Sequence, residues 1–215
     1  MDNILDVGKD TQPLKGNRDC INDWRSIGLG VMGLADMLVA LGIKYGDDRC
    51  KELCHNLFGR IMSKAIAESR ILAKAKMPYG KWKRSKGERL RNGTLISIAP
   101  TGTISTMCGI SGGIEPLFSI SYERTTHSLS DKKQYFKVYA KSVEHLLKYH
   151  GIDPNTISED EIVKRFPFVI ASHDIDPMDR VAVQGVIQRN IDNAISSTVN
   201  LKNDATVDDV MASIS

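Results

Sequence analysis

Apolar residues recur every three or four positions in two long stretches of the chain, a spacing typical of helices with one buried face. The first stretch predicts a helix over residues 24–41, which Gly42 would end. The second predicts a helix from about residue 48 to Lys76, which Pro78 would end. Both predicted helices are long enough to cover a face of a domain core.

Shorter apolar runs and amphipathic stretches alternate through the rest of the chain. Strands are predicted over residues 95–99, 117–122 and 197–200. Further helices are predicted over residues 134–149, after Ser158, and over residues 181–194 and 205–214. Residues 1–22 are polar and turn-rich and are interpreted as a lead-in. Long helices between a few short strands favour an α/β fold in which helices cover a buried sheet.

Length and composition narrow the class of protein. The chain has 215 residues, of which 41% are hydrophobic and 26% charged, and its net charge is +3. These values are typical of a soluble globular protein with a sizeable core, and the slight charge argues against DNA as a partner. The sequence shows neither a signal peptide nor an apolar stretch of membrane-spanning length, and its four cysteines are dispersed. We therefore expect a cytoplasmic protein that does not bind membranes.

Two groups of residues resemble known motifs, one for a metal site and one for dinucleotide binding. Cys50 and Cys54 lie four residues apart beside His55, but two thiols and one imidazole without a second pair make a poor zinc site. They are interpreted as buried helix cysteines, and no metal site is expected. Residues 28–33 form a GxGxxG string, but no strand precedes it, so a dinucleotide site is rejected in favour of close helix packing or a kinked helix start.

The most informative stretch covers residues 91–116, RNGTLISIAPTGTISTMCGISGGIEP. A predicted strand ends at Pro100, and a loop rich in hydroxyl groups and glycine follows. Such a loop can surround an anion with backbone N–H groups, and a helix after it would add further donors. An ordinary strand-to-helix turn is the alternative, since threonine, serine and glycine are common in turns. No lysine stands in the position that an ATPase P-loop requires, so that class is disfavoured.

Several charged residues nearby have two interpretations each. Glu115 could act as a general base, although a structural role in tying the loop backbone is favoured. Arg91 and Arg124 could neutralise phosphate or could be solvated. The basic cluster Lys81, Lys83, Arg84, Lys86, Arg89 and Arg91 is interpreted as a solvated loop face, with polyphosphate contact as the minority interpretation.

Four stretches of the chain resemble, in the same order, parts of the ribonucleotide reductase large chain. They are residues 24–38 (WRSIGLGVMGLADML), 98–105 (IAPTGTIS), 111–116 (SGGIEP) and 188–200 (QRNIDNAISSTVN). The sequences of these stretches are most similar to the adenosylcobalamin-dependent class, while the iron-dependent class shares the same barrel. The second stretch resembles the family's loop for the substrate phosphates.

The resemblance implies a fold and a reaction. The fold is a ten-stranded α/β barrel, of which residues 1–215 would form a single partial domain, the second half-barrel region with long covering helices. The reaction is reduction of ribonucleotides to deoxyribonucleotides by thiyl-radical chemistry. The implied substrate-phosphate residues are Pro100, Thr101, Gly102, Thr103, Ile104 and Ser105.

The resemblance also implies what this chain lacks. The family's radical-cysteine loop, with its Asn-x-Cys-x-Glu pattern, lies upstream of the first matching residue, so no catalytic residue is expected in this chain. Cys108 lies on the phosphate loop and does not replace the radical cysteine. The expected partners are a ribonucleotide, a second polypeptide or missing N-terminal segment with the radical cysteine, and a thioredoxin-like reductant; the expected cofactor is adenosylcobalamin, bound with the missing parts.

Two departures from the family pattern leave a second hypothesis open. Ser197 stands where the cobalamin class has lysine, and Gly185 and Val186 stand where alanines are expected. The chain is therefore interpreted as a segment of a reductase, and the alternative is a nucleotide- or phosphate-binding remnant without reductase activity of its own. Half a barrel would expose sheet edges, so we also expect the isolated chain to associate.

Overall fold

The computed structural model describes residues 1–83, 87–127, 133–201 and 205–214. The chain divides into two compact units. The first unit consists of Met1–Gly30, Cys54–Ala99 and Val186–Ser196. The second unit consists of Val31–Leu53, Pro100–Gly185 and Ser197–Ser215. The single partial domain inferred from the sequence stays a prediction.

Helices dominate the described residues. In chain order they are α1 Asp2–Gly8, α2 Lys15–Trp24, α3 Leu34–Leu41, α4 Asp48–Lys76, α5 Gly102–Cys108, α6 Lys141–Tyr149, α7 Glu159–Arg165, α8 Pro177–Gln188 and α9 Val207–Ile214. Short 3-10 turns occupy Lys9–Thr11 and Ser172–Asp174. Strands β1 (Ser121–His127) and β2 (Lys133–Tyr139) pair antiparallel, with Ser121 opposite Tyr139. The described structure is thus helix-rich with a small sheet.

Each unit has buried apolar side chains of its own. Those of the first unit include Phe58, Ala73, Ile96, Ile187 and Ile191. Those of the second unit include Leu34, Leu38, Val143, Leu147, Ile162, Val169 and Val183. In the second unit α3 packs against α6.

Three sequence predictions of helices are confirmed closely. The long helix predicted from about residue 48 to Lys76 is α4, and Cys50 and Cys54 are fully buried on it, as interpreted. The helix after Ser158 is α7, and the Ser158 side chain accepts from the Glu161 N–H while the Glu161 carboxylate accepts from the Ser158 N–H. The predicted helix over residues 205–214 is found as α9. Local capping and periodicity were sufficient in these places.

The predicted helix over residues 24–41 is wrong in its first half. α2 ends at Trp24, the chain is extended around Gly28–Gly30, and a helix resumes only at Leu34. Leu29 donates its N–H to the Leu95 carbonyl at 2.9 Å and accepts at its own carbonyl from the Ser97 N–H at 3.0 Å. A Cβ atom on Gly30 would lie 2.5 Å from the Ser97 carbonyl oxygen, so glycine permits this close approach. The predicted strand at residues 95–99 is correspondingly a single parallel bridge between Leu29 and Ile96.

Other element boundaries also differ from the prediction. Residues 1–22, expected to be rich in turns, contain α1 and most of α2. The predicted helix over residues 134–149 is wrong before Lys141, because residues 133–139 pair with β1. The predicted strand at residues 197–200 has no regular structure.

The helix predicted over residues 181–194 is α8, which begins earlier at Pro177 and ends at Gln188. Beyond it the chain is held by tertiary contacts. The Asp192 carboxylate accepts from the N–H groups of Leu95 at 2.7 Å and Ile96 at 2.9 Å. This carboxylate fixes the extended segment of the first unit that precedes Pro100 in sequence.

A buried cluster of charges anchors the beginning of the chain in the first unit. The Asp2 carboxylate accepts from Arg25 Nη2 at 2.6 Å, from Arg91 Nε at 3.2 Å and from Asn92 Nδ2 at 3.2 Å. Burial alone would raise the pKa of Asp2, but the hydrogen bonds and charges of Arg25 and Arg91 outweigh burial and hold the pKa below its ordinary value. Arg91 is therefore neither solvated nor available to phosphate, contrary to both interpretations from the sequence.

The described part of the chain has neither a membrane-spanning helix nor a cluster of metal-binding side chains. No helix there combines the length and the apolar character that crossing a bilayer demands. No group of three or more histidine, cysteine or acidic side chains there could hold a metal ion.

Candidate functional site

The loop at Pro100 leads directly into a helix of the second unit. Thr101 adopts the left-handed conformation, with φ at 53°, and α5 begins at the next residue. A threonine in this conformation is strained, and strain of this kind concentrates at functional sites. Gly102, Thr103 and Ile104 are exposed in the first turn, whereas Ser105 is buried. First-turn N–H groups have no acceptor within their own helix, so this turn presents donors on the surface.

The hydroxyl groups of the loop have different surroundings. Thr101 Oγ1 accepts from the Gly113 N–H at 2.8 Å, which leaves the hydroxyl proton of Thr101 able to donate. Ser105 Oγ donates to the Gly102 carbonyl at 3.2 Å, inside the same helix. The structure thus brings Pro100, Thr101, Gly102 and Thr103 to one exposed turn, and it uses Ser105 to close that turn.

A second loop, residues 111–116, lies against the first. A Cβ atom on Gly112 would lie 3.1 Å from the Pro100 carbonyl oxygen, so the absence of a side chain allows the two loops to approach. The Ser111 N–H donates to Asp36 Oδ2 at 2.6 Å, and the Gly33 N–H donates to the Ser111 carbonyl at 2.9 Å. Asp36 was not singled out in the sequence; its position in the first turn of a helix preceded by glycine was the available signal.

Both loops line a cavity of about 560 Å³ in the second unit. Its wall includes Pro100, Gly102, Ser105, Ser111, Gly112 and Glu115. A cavity of this volume suits a ligand the size of a small organic molecule. Among the described residues of the wall, the charged ones are Asp36, Glu115 and Lys141.

The sequence suggested that the Glu115 carboxylate holds the loop backbone by hydrogen bonds, but no such bond is present among the described residues. The loop is held by backbone groups: the Glu115 N–H donates to the Gly112 carbonyl at 2.9 Å, and the Tyr45 hydroxyl donates to the Ile114 carbonyl at 2.8 Å. The Glu115 carboxylate instead lies 4.0 Å from Nη2 of Arg180. Tyr45 and Arg180 are residues of this site that sequence reasoning missed, because each lies far from the loop along the chain.

Two further residues that the sequence singled out are Cys108 and Arg124. Cys108 is the last residue of α5 and is exposed. The side chain of Arg124 lies outside the described part of the structure, as do Arg84 and Lys86.

Comparison with known proteins supports the resemblance read from the sequence. The family described as "Ribonucleotide reductase, barrel domain" matches residues 1–90 and 86–215. A vitamin B12-dependent ribonucleoside-diphosphate reductase of Mycobacterium tuberculosis is 33% identical over 99% of this chain and 32% of its own length. The corresponding protein of Thermoplasma acidophilum is 31% identical over 98% of this chain and 28% of its own length.

A solved structure shares the fold. The class Id ribonucleotide reductase alpha subunit of Actinobacillus ureae superposes with a TM-score of 0.68 over 89% of this chain and 37% of its own, at 20% identity. The chain therefore spans about a third of the length of the proteins it matches. Because the family matches the whole chain and the sequence relatives exceed 30% identity across it, this chain belongs to the ribonucleotide reductase barrel-domain family.

Proposed function

We propose that this chain is the segment of a ribonucleotide reductase that holds the phosphates of the ribonucleotide. The residues that would contact them are Pro100, Thr101, Gly102, Thr103, Ile104 and Ser105. In the complete enzyme the segment would form the second half-barrel region of a ten-stranded α/β barrel. The named relatives act on ribonucleoside diphosphates, so a diphosphate is the substrate we propose.

One observation carries the proposal: the exposed first turn of α5 borders a cavity of about 560 Å³ in a chain of this family. The N–H groups of residues 102–104 would donate to phosphate oxygens, because they lack acceptors in the helix. The Thr101 hydroxyl would donate as well, since Gly113 already supplies the bond that it accepts. Ser105 would keep the turn closed through its bond to the Gly102 carbonyl.

The chemical steps would depend on groups outside this chain. Another segment or polypeptide would supply the thiyl radical, which abstracts the ribose 3′ hydrogen, and the two cysteines that deliver reducing equivalents. A thioredoxin-like protein would then reduce these two cysteines again. This chain would contribute binding and orientation, which raise the effective concentration of the substrate at the radical.

Adenosylcobalamin is the cofactor that the relatives' names suggest. The cavity of about 560 Å³ at the loop does not fit it, because a corrin ring with its nucleotide tail exceeds the drug-sized ligands that cavities of this volume hold. We therefore propose that the cofactor binds with other portions of the enzyme.

Substitution of Gly102 tests the phosphate site. A Cβ atom on Gly102 would have no neighbouring atom of the described protein within 4 Å, so a valine there is directed at a bound ligand and not at the fold. We expect Gly102→Val to weaken ADP binding, measured by isothermal titration calorimetry, at least about tenfold, equivalent to about 1.4 kcal/mol.

Gly16→Val is the matched control for this experiment. Gly16 also lies exposed in the first turn of a helix and has no neighbour within 4 Å of an added Cβ atom. Both substitutions change the intrinsic helix propensity in the same direction and by a similar amount, and Gly16 lies outside the phosphate loop, so Gly16→Val should leave the ADP affinity unchanged. Equal affinities of Gly102→Val and the parent chain would remove the phosphate assignment.

The isolated chain should not reduce nucleotides. We expect no deoxyribonucleotide from the purified 215-residue chain supplied with ribonucleoside diphosphate, adenosylcobalamin and a dithiol. Addition of a partner polypeptide with the Asn-x-Cys-x-Glu segment should restore turnover. Product formation by the chain alone would contradict the division of roles, and continued inactivity with the partner would favour the remnant hypothesis.

A further inference from the structure

The cavity beside the phosphate loop has one carboxylate, that of Glu115, whose described contact within the protein is a long ion pair of 4.0 Å with Arg180. Of its charged wall residues, Asp36 accepts from the Ser111 N–H at 2.6 Å, and Lys141 donates to the Cys108 carbonyl at 3.4 Å. The Glu115 side chain is 44% exposed, and its carboxylate makes no hydrogen bond within the described part of the chain. A free carboxylate at this position repels any anion that enters the cavity.

Arg180, which lies near Glu115, is a buried cation with unsatisfied hydrogen-bond donors. The residue is 4% exposed, yet its Nε and Nη2 atoms have no hydrogen-bond partner among the described residues. Its Nη1 atom makes one long bond, of 3.4 Å, to the Gln184 side chain. Buried donors without acceptors are costly, and a buried guanidinium normally has a carboxylate partner.

The geometry allows these two groups to meet without movement of the backbone. Glu115 Oε1 lies 4.0 Å from Arg180 Nη2, about 1 Å beyond an ordinary hydrogen bond. The backbone next to Glu115 is held by the Tyr45 hydroxyl, whose ring also lies 5.9 Å from the Arg180 guanidinium carbon. Rotation of the Glu115 side chain alone would therefore close the gap.

We propose that Arg180 is a positioning residue that pairs closely with the Glu115 carboxylate, and so shields its charge from the cavity, when the phosphates of a ribonucleotide enter it. The inference rests on the proposed function of the loop. Phosphate repels the carboxylate towards Arg180, and the guanidinium then donates from Nε and Nη2 to its two oxygens. One rotation, which moves the carboxylate by about 1 Å, thus pairs the negative charge with the guanidinium, which weakens its repulsion of the phosphates, and satisfies the buried donors.

Variants of the two residues test this coupling through ADP affinity, measured by isothermal titration calorimetry on the full chain. We expect Arg180→Gln to weaken ADP binding about tenfold, because Glu115 then keeps its charge at the cavity. Glu115→Gln in the Arg180→Gln background should restore the affinity to within about twofold, since the repelling charge is gone. Arg180→Lys keeps the positive charge and should lose less than Arg180→Gln. Glu115→Gln alone should bind ADP at least as tightly as the parent chain.

The outcomes separate this inference from the proposed function. If the parent binds ADP and Gly102→Val abolishes binding while Arg180→Gln leaves it unchanged, only the role of Arg180 is contradicted. A double variant as weak as Arg180→Gln would also contradict it, because the loss would then be structural. If Arg180→Gln does not fold, as judged by circular dichroism, tenfold weaker binding by Glu115→Gln alone would overturn the inference and unweakened binding would support it. If the parent itself does not bind ADP, both proposals fail.

Discussion

Replacement of Gly30 by alanine tests the close approach that holds the extended segment of the first unit. An added Cβ atom would lie 2.5 Å from the Ser97 carbonyl oxygen, and real contacts of this kind are not shorter than 3.0 Å. The two backbones must therefore separate by at least 0.5 Å. That separation weakens two hydrogen bonds, from Leu29 to Leu95 at 2.9 Å and from Ser97 to Leu29 at 3.0 Å.

The expected loss of folding stability in Gly30→Ala follows from these contacts. Each backbone hydrogen bond contributes about 1 kcal/mol net, and the residual strain adds about 1 kcal/mol. The smaller entropy of the unfolded alanine chain offsets about 0.5–1 kcal/mol. We expect Gly30→Ala to lower the free energy of unfolding by about 2 kcal/mol, which moves the urea midpoint down by about 1 M.

Tryptophan fluorescence is a suitable assay for this prediction. Trp24 and Trp82 both belong to the first unit, so urea unfolding followed by fluorescence reports on that unit. Gly16→Ala is the control, because Gly16 lies in a helix with no neighbour within 4 Å and should gain about 0.5–1 kcal/mol. An unchanged midpoint for Gly30→Ala would refute the steric account of this glycine.

Two other predictions concern the stability of the folded chain. Asp2→Asn should cost about 3–5 kcal/mol at neutral pH, because it leaves Arg25 and Arg91 buried without their anion. Since the folded-state pKa of Asp2 is depressed below 3.8, the parent has this stabilisation above that pH and loses it as pH falls through the folded-state pKa. The urea midpoints of parent and variant should therefore converge in acid, and a constant difference between pH 7 and pH 2 would contradict the charge account. Ser158→Ala should cost about 1 kcal/mol through loss of the capping box of α7, read as faster amide exchange in that helix, while Ser158→Asp should retain the cap.

Local sequence signals predicted those elements whose stability is local. The capping box at Ser158 and the periodicity of α4 identified two helices. The loop after residues 95–99 is followed by a helix, which would add donors for an anion. The same reasoning failed at residues 133–139, where pairing with β1 overrides a helical pattern. It also failed at Gly28–Gly30, because nothing nearby in the sequence reveals the approach of Ser97.

The candidate site divides in the same way. The family could be recognised from the sequence, and residues 100–105 could be proposed as a phosphate site, because the loop is contiguous and its residue types favour anion binding. The supporting groups could not be predicted, because Asp36 and Tyr45 bind the second loop, residues 111–116, across more than sixty residues of chain.

The sequence alone thus determined the family and the long helix α4, since each is encoded in residues that lie close together along the chain. Only the tertiary structure decided that Arg91 is buried against Asp2 and that Arg180 faces Glu115. The physical reason is that the partner of a charge depends on how distant segments fold together. Burial then determines whether that charge is solvated or must be paired within the protein.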